Sequence, residues 1–432
     1  MPTPTLPYNL PRPESADKIA SSVESLRLTL VALADATNRE LGLLEGKIVP
    51  TLDKTSPKSV GIPLNTSAAG FRSRTVQLNQ RIPFRLPVDA KRVRLHVANY
   101  NDAEDLAFVS PNLVVNKHMY IGLHKLDADH QATGQFVSAP TQVTNDGYVE
   151  LPDGNEFVYD WMPVSLSANV DYLLSYSFYN PDGDYVMQGL TTSFWNSATG
   201  AVDQVDGVTL NKDTNAKLMV WMEVEVANET PVLGWIGDSH IVARSANVSN
   251  YDSPAWAHGM AHGVIPRMYA IGGSKMSDWS ANPTSERWTR LGGLGRCDAV
   301  VIQVQSNDVY EYRSDVDPVG MVTDLKARLA ALVPLVRQHI SANIYLTTVM
   351  PRNSFQTPGF EAKLDEWNDY LRTLPHGARG CFDIGAAIAD PADKHKLNPV
   401  YGLPAEANDV VHLNTAGSSA TGLAITAKCA VR

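Results

Sequence analysis

Cysteine is scarce in this sequence of 432 residues: there are three, Cys297, Cys381 and Cys429, and they are widely spaced. This number and spacing fit neither a disulfide framework nor a Cys-x2-Cys zinc site, so we expect buried thiols in a reducing cytosol. Basic residues are also in deficit, with 36 Lys and Arg against 46 Asp and Glu and a net charge of -10. Because nucleic-acid binding depends on neutralising phosphates, we expect no nucleic-acid partner.

Long apolar runs are missing as well. No stretch approaches the roughly 18 to 20 apolar residues of a membrane helix, so we expect no membrane insertion. The first residues, MPTPTLPYNLPRP, show no basic region followed by an apolar one, so we also expect no signal peptide. Hydrophobic residues still make up 44% of the chain, which is enough for sizeable cores. The length predicts two or three domains.

Residues 1–50 combine a proline-rich arm with a helical pattern. Apolar residues recur there at steps of four and three, at Ile19, Val23, Leu26, Leu30, Leu33, Leu41 and Leu44. Such a stripe is typical of a coiled-coil seam, and it makes this segment a candidate oligomerising helix, for which we favour a homotrimer. An amphipathic helix that packs on the chain's own next domain fits the same pattern, and both interpretations stay open.

In the middle of the chain, a polar segment is followed by a segment in which apolar and polar residues alternate. Residues 51–75 are polar, with small residues and prolines, and are predicted to form a linker. From 76 to 229 the hydrophobic period is two, and turn residues separate the runs, which predicts a jelly-roll-like antiparallel β-sandwich. Its Trp161, Tyr179 and Trp195 are candidates for stacking on sugar rings, and packing within the domain is the alternative.

From residue 230 to 432, strand and helix patterns alternate. The runs 232–236 and 299–304 are short and almost wholly apolar, as in the buried strands of a parallel sheet, and 321–340 reads as an amphipathic helix. This predicts an α/β domain of three layers, with helices on both faces of a parallel sheet. In such domains, ligands bind outside the carboxyl ends of the strands.

Polar residues with catalytic chemistry follow the predicted strands. Ser239, in Gly-Asp-Ser-His, comes directly after the first strand, and Asn307 follows the second. Near the C-terminus Asp409 and His412 stand three residues apart, a spacing that lets the carboxylate orient the imidazole while its other nitrogen faces a serine hydroxyl. There is no Gly-x-Ser-x-Gly elbow, because Ile241 occupies its last position, and this argues against the α/β-hydrolase family.

This ordered set resembles the SGNH (GDSL-type) hydrolase superfamily over residues 230–432. The resemblance implies an esterase with catalytic Ser239, His412 and Asp409 and with an oxyanion hole formed by Ser239, Gly273 and Asn307. One position departs from the family pattern, since Gln305 stands where the family has glycine, and the conformation of that loop is a question for the structure. The chemistry needs a base for the serine and hydrogen-bond donors for the oxyanion, and no metal or cofactor.

The expected substrate follows from the layout. A β-domain before an SGNH domain resembles carbohydrate esterases, and a proline-rich arm with an oligomerising helix resembles a bacteriophage tail or tail-fibre protein. We therefore expect a serine esterase that removes O-acetyl groups from a bacterial cell-surface polysaccharide during host adsorption. Such a protein is made in the host cytoplasm, resides in the virion, and contacts other tail proteins through its N-terminal segment.

Three alternatives remain open. The first alternative is a non-viral bacterial carbohydrate esterase, the second is a receptor-binding tail protein with a non-catalytic SGNH fold, and the third is a purely structural tail subunit. The complete set of Ser239, Asp409 and His412 favours catalysis over the last two.

Overall fold

The computed structural model describes residues 57–64, 66–74, 77–99, 113–116, 118–145, 147–180, 185–196, 209–241, 252–285, 287–288, 295–313, 318–353, 357–403 and 412–425. The helix predicted within 1–50 lies outside these residues, as do Asp409 and Cys429. Residues Ser56–Arg432 belong to one compact unit.

Strands of the first part of this unit pair antiparallel. They are β1 Lys58–Pro63, β2 Thr66–Arg74, β3 Gln77–Phe84, β4 Val93–Ala98, β5 Leu113–Asn116, β6 Tyr120–Leu126, β7 Ala132–Phe136, β8 Thr141–Gln142, β9 Tyr148–Leu151, β10 Glu156–Val158, β11 Tyr172–Tyr179, β12 Tyr185–Asn196, β13 Asn211–Lys217 and β14 Met219–Val226. Within the described ranges one sheet has the order β1-β14-β4-β10, and a larger sheet runs β13-β12-β3-β11-β5-β9 with β2, β6, β7 and β8 paired beside this path.

The alternating sequence explains these sheets. On β14, Val220, Met222 and Val224 are buried, while Trp221 and Glu223 between them lie on the opposite face. Buried residues from both antiparallel sheets belong to one apolar core. The predicted antiparallel character is therefore confirmed for the described residues, and the jelly-roll-like connectivity stays a prediction.

The predicted linker 51–75 is wrong where the structure forms strands. Both β1 and β2 lie inside it, and β1 pairs with β14 along its whole length. The missed signal is a short alternation in which Val60, Ile62 and Leu64 are buried. Pro63 ends this strand at the edge of its sheet, where a residue without an N–H is tolerated.

The three candidate sugar-stacking aromatics lie in different surroundings. The ring of Trp161 is half-buried beneath two guanidinium groups, those of Arg92 at 4.7 Å and Arg94 at 4.9 Å from its centroid. Trp195 is half-buried against the core, whereas Tyr179 is 45% exposed. Tyr179 thus offers the most open ring of the three for a ligand.

The second part of the unit is built on a parallel sheet of five strands. In the order β16-β15-β17-β18-β19 these are β15 Val232–Gly237, β16 Ile265–Ala270, β17 Ala299–Ile302, β18 Ile344–Thr347 and β19 Gly380–Phe382. Every residue of β15, β16 and β17 is buried, as the continuous apolar sequences of β15 and β17 predict; β16 also contains the charged Arg267. A small antiparallel pair, β20 Ala389–Asp390 and β21 Asp393–Leu397, follows.

Helices pack around this sheet in two groups. They are α1 Pro254–His262, α2 Met276–Ser280, α3 Ser306–Tyr310, α4 Met321–His339, α5 Pro358–Arg372, α6 Ile384–Ile388 and α7 Thr415–Ala424, with a 3-10 turn at Pro375–Gly377. One group contains α1, α6 and α7, and the other contains α2, α3, α4 and α5. The predicted α/β part with a parallel sheet is confirmed. Among the described residues, no helix combines the length and apolar character of a membrane span.

A buried arginine joins the antiparallel part to the parallel sheet. Arg267 on β16 is 2% exposed, and its Nε donates a hydrogen bond of 3.0 Å to the carbonyl oxygen of Gly61 on β1. Its NH1 donates to the carbonyl oxygen of Gly295. Because an unpaired buried charge is very costly, these carbonyl groups are what allow the guanidinium to lie between the two parts.

Candidate active site

The sheet order brings three sequence-predicted segments to one edge. Strand β15 lies between β16 and β17, and all three run in the same direction. Ser239 follows β15, Gly273 follows β16 and Asn307 follows β17. The carboxyl ends of neighbouring parallel strands therefore place these three residues close to one edge of the sheet, Ser239 and Gly273 on loops and Asn307 in the first turn of α3.

The predicted nucleophile and base are in contact. His412, in the loop before α7, has its Nε2 3.1 Å from the Oγ of Ser239. Both residues are largely buried, with exposures of 6% for Ser239 and 8% for His412. An imidazole nitrogen at this distance can take the hydroxyl proton during attack on a carbonyl. Asp409 lies outside the described residues, so its role in orienting His412 stays a prediction.

The turn that carries Ser239 is tightly packed. A Cβ on Gly237 would lie 2.4 Å from the Cγ1 of Ile241, so glycine is required here for space. The fully buried Asp238 points back into the turn, where its Oδ1 accepts hydrogen bonds from the backbone N–H of His240 at 3.0 Å and from His240 Nδ1 at 2.8 Å. Burial raises the pKa of Asp238, but the charge and hydrogen bonds of His240 outweigh it, and the pKa is lower than usual.

His240 is a second imidazole at this site. It is 3% exposed, and its ring centroid lies 5.8 Å from that of His412. From the sequence it is only the neighbour of the nucleophile; its pairing with Asp238 is visible only in the structure.

The segments after β16 and β17, which are predicted to form the oxyanion hole, are joined directly. Gly273 has a φ of +82°, in the left-handed region that favours glycine, and a Cβ there would meet nothing within 4 Å. The side-chain Nδ2 of Asn307 donates a hydrogen bond of 3.0 Å to the carbonyl oxygen of Ser274. An amide nitrogen carries two N–H groups, so this bond leaves one for a substrate oxygen.

Gln305, which stands where the SGNH family has glycine, does not adopt a backbone conformation that requires glycine. Its φ is -149°, outside the left-handed region. Its buried side chain donates from Nε2 to the carbonyl oxygen of Thr347, at the end of β18, and accepts through Oε1 from Trp367 Nε1 at 3.0 Å. The glutamine therefore links the loop to β18 and α5.

The carboxyl group beside Asn307 has partners that the sequence does not indicate. Asp308 is fully buried and accepts hydrogen bonds from the backbone N–H of Met276 and from Arg328. Burial raises the pKa of Asp308 to about 6, although the hydrogen bonds from Met276 and Arg328 act in the opposite direction. Arg328 lies 20 residues further along the chain on α4, and no local pattern signals this pairing.

The two histidines on α1, His258 and His262, differ in exposure. His258 is 1% exposed and its Nδ1 is 3.0 Å from the carbonyl oxygen of Ile425, which follows α7. His262 is exposed and its ring lies 4.7 Å from that of His258. Burial, with the added effect of His262, lowers the pKa of His258 to about 4. His258 therefore packs between helices.

Potential metal ligands also converge in one place in the described part of the chain. Glu361, Asp393 and His395 offer ligand atoms within 4.8 Å of one another. These residues belong to α5 and β21 and contribute nothing to the contact between Ser239 and His412.

No protein-family model and no curated protein matches the chain. Similar solved structures include a carbohydrate esterase family 2 enzyme with a carbohydrate binding domain from Corynascus thermopiles (Myceliophthora fergusii), 13% identical with a TM-score of 0.37, covering 85% of this chain and 98% of that one. A family two carbohydrate esterase from Cellvibrio japonicus is 11% identical, with a TM-score of 0.34 and coverages of 86% and 97%.

A putative lipolytic protein of the G-D-S-L family from Desulfitobacterium hafniense is 13% identical, with a TM-score of 0.33, covering 45% of this chain and 97% of that one. At such identities and scores these likenesses carry no conclusion about activity. Function is therefore inferred from the geometry around Ser239.

Proposed function

We propose that the protein is a serine esterase with Ser239 as nucleophile and His412 as general base. The observation that carries this proposal is the 3.1 Å contact between Ser239 Oγ and His412 Nε2 at the carboxyl edge of a parallel sheet. A serine that only capped a helix would have no need of a nearly buried imidazole at this distance.

The reaction uses groups already close together. As Ser239 Oγ attacks the ester carbonyl, its proton passes to His412 Nε2, and His412 then gives it to the departing alcohol. The backbone N–H groups of Ser239 and Gly273 and the amide of Asn307 are the donors for the tetrahedral oxyanion. Water, deprotonated by His412, then attacks the acyl-enzyme, which releases the acid and restores the serine. Asp409, as the resemblance implies, orients His412.

The proposed substrate is an O-acetylated polysaccharide of a bacterial surface. A small acyl group on a large alcohol suits a site built from strand-end loops, and the preceding antiparallel part has an exposed aromatic ring at Tyr179 for a sugar. The bacteriophage setting is proposed from the sequence of residues 1–50 alone, and a bacterial carbohydrate esterase outside any virion is the alternative.

Acetate release tests the catalytic proposal. Purified protein should release acetate from a small acetyl ester and from acetylated host polysaccharide, and Ser239→Ala should lose both activities. Ser341→Ala is the matched control, because Ser341 precedes β18 at the opposite end of the sheet, where its Oγ donates to the carbonyl oxygen of Asp298 and accepts from the backbone N–H of Asn343. Equal release by wild type and Ser239→Ala would refute the mechanism. Turnover of the small ester without release from the polysaccharide would refute the substrate.

The N-terminal segment is tested separately. If residues 1–50 form an oligomerising helix, Leu26→Glu together with Leu33→Glu should lower the mass measured by light scattering from trimer to monomer. An unchanged mass would favour the helix that packs within its own chain.

A further inference from the structure

The two oxyanion segments belong to different loops. Gly273 follows β16 and Asn307 follows β17, so their donors face one oxyanion only if the loops hold a fixed relative position. Such donors stabilise the transition state because they are in place before charge develops. The direct bond from Asn307 to the carbonyl oxygen of Ser274 is one link between the loops.

Asp308 supplies a second and fully buried link. Its Oδ2 accepts a hydrogen bond of 2.9 Å from the backbone N–H of Met276, three residues after Gly273. Its Oδ1 accepts one of 2.9 Å from NH1 of Arg328 on α4. One carboxylate, next to Asn307 in the chain, thus holds the loop of Gly273 to its own loop and both of them to a long helix.

Charged side chains nearer the surface also connect the Gly273 loop with the region that follows Asn307. Lys275, in the Gly273 loop, forms an ion pair with Glu311, which follows α3. The NH1 of Arg328 also lies 2.7 Å from Oε2 of Glu311. Arg328 has a side-chain exposure of 20%, and the pairing is therefore less screened than on an open surface. We call Asp308, Arg328, Lys275 and Glu311 the loop clasp.

We propose that Asp308 is a positioning residue, which through the loop clasp keeps Gly273 and Asn307 at the spacing that one oxyanion requires. The proposal rests on the serine esterase function proposed above and adds a residue that touches neither substrate nor nucleophile. An alternative in which Asp308 only stabilises the fold predicts loss of stability without any change in the pH dependence of catalysis.

The protonation state of Asp308 distinguishes these two roles. Arg328 faces it from α4, Glu311 from the end of α3, and Lys275 from the start of α2, while Asp324 pairs with the same guanidinium of Arg328. Since the pKa of Asp308 is raised to about 6, the carboxylate that both partners need is lost as the pH falls through this value. Catalysis in wild type should then lose two protonation-sensitive groups on the acid side, Asp308 and His412.

The first test is the pH profile of kcat/KM on a small acetyl ester. In wild type the acid limb should be steeper than loss of one proton allows, and in Asp308→Asn it should follow a single proton. The asparagine can still accept a hydrogen bond from Met276, but it has no charge to pair with Arg328. At pH 8, kcat should therefore fall at least tenfold while KM changes less than twofold, as expected when an oxyanion donor is misplaced.

Asp324→Asn is the matched control. Asp324 also pairs with Arg328, at 2.7 Å, but it is more exposed and does not touch the Gly273 loop. Its variant should keep the wild-type kcat and acid limb. If Asp308→Asn does not fold, Arg328→Gln replaces it: the cation that lowers the pKa of Asp308 is then gone, and the acid limb should move to higher pH.

Hydrogen exchange makes the outcome independent of esterase activity. Backbone amides of residues 271–276 should exchange faster in Asp308→Asn than in wild type and Asp324→Asn. Equal exchange, or a single-proton acid limb in wild type, would overturn the proposed role of Asp308. If wild type hydrolyses no ester, the esterase proposal fails, and the exchange rates still decide whether the clasp holds the loop.

Discussion

Replacing Gln305 with glycine, the residue that the SGNH family has there, should destabilise the protein. The change removes a side chain that is 3% exposed, leaves the indole N–H of the fully buried Trp367 without its acceptor, and deprives the carbonyl oxygen of Thr347 of a donor. A buried group left without its partner costs ~2 kcal/mol, and the cavity with the more flexible glycine adds about as much. We therefore expect a loss of about 4 kcal/mol in the free energy of unfolding.

Gln305→Met separates the two parts of that loss. Methionine fills most of the volume but makes neither hydrogen bond, so this variant should lose about 2 kcal/mol. Urea midpoints followed by circular dichroism should fall in the order wild type, Met, Gly. Because Asn307 is held by Ser274 and by the neighbouring carboxylate, kcat at low temperature should be nearly the same in all three. A glycine variant as stable as wild type would refute this account of the loop.

Three further changes test other parts of the structure. Gly273→Ala introduces no clash, but it strains a left-handed backbone by ~1–2 kcal/mol. We expect kcat to fall about tenfold or more while KM stays nearly constant. A wild-type kcat would exclude the residue as an oxyanion donor. Arg267→Met removes the donor to Gly61 and should lower the free energy of unfolding by ~3 kcal/mol, which calorimetry would record as a lower melting temperature. An unchanged melting temperature would contradict the importance of this contact. In wild type the pKa of His258 is lowered to about 4, so as the pH falls the unfolded chain binds this proton before the folded protein does, and the free energy of unfolding falls by about 3 kcal/mol between pH 6.5 and 4. In His258→Gln this part of the pH dependence should be missing from urea titrations at several pH values. An identical pH dependence would show that another group is responsible.

The features that the sequence predicts well depend on short-range periodicity and on one rule of sheet geometry. Alternating residues such as those of β14 predict antiparallel strands, and continuous apolar runs such as β15 predict a buried parallel sheet. Because parallel strands end at the same edge, residues after consecutive strands can be expected to meet. Ser239, Gly273 and Asn307 follow adjacent strands at one edge of the sheet for this reason.

The features that the sequence does not predict depend on partners far away along the chain. Arg328 reads only as a polar position of an amphipathic helix, and nothing near it indicates that Asp308 lies beside it. Gln305 looks like a defect in a glycine motif, because the motif records a residue type and not the φ that the loop adopts. The strand β1 is short and preceded by polar residues, so the buried side chains of Val60 and Ile62 are outweighed in a composition-based prediction of a linker.

The contact of Arg267 with Gly61 bears on how this protein can be divided. Strand β16 is the outermost strand of the parallel sheet, and the guanidinium that it buries relies on β1 for an acceptor. A fragment beginning at residue 230 would therefore expose a strand edge and a cation that the complete unit keeps covered, and such edges promote association between copies. The part built on the parallel sheet is therefore not an independent module, and its transfer into another protein would have to include the antiparallel part.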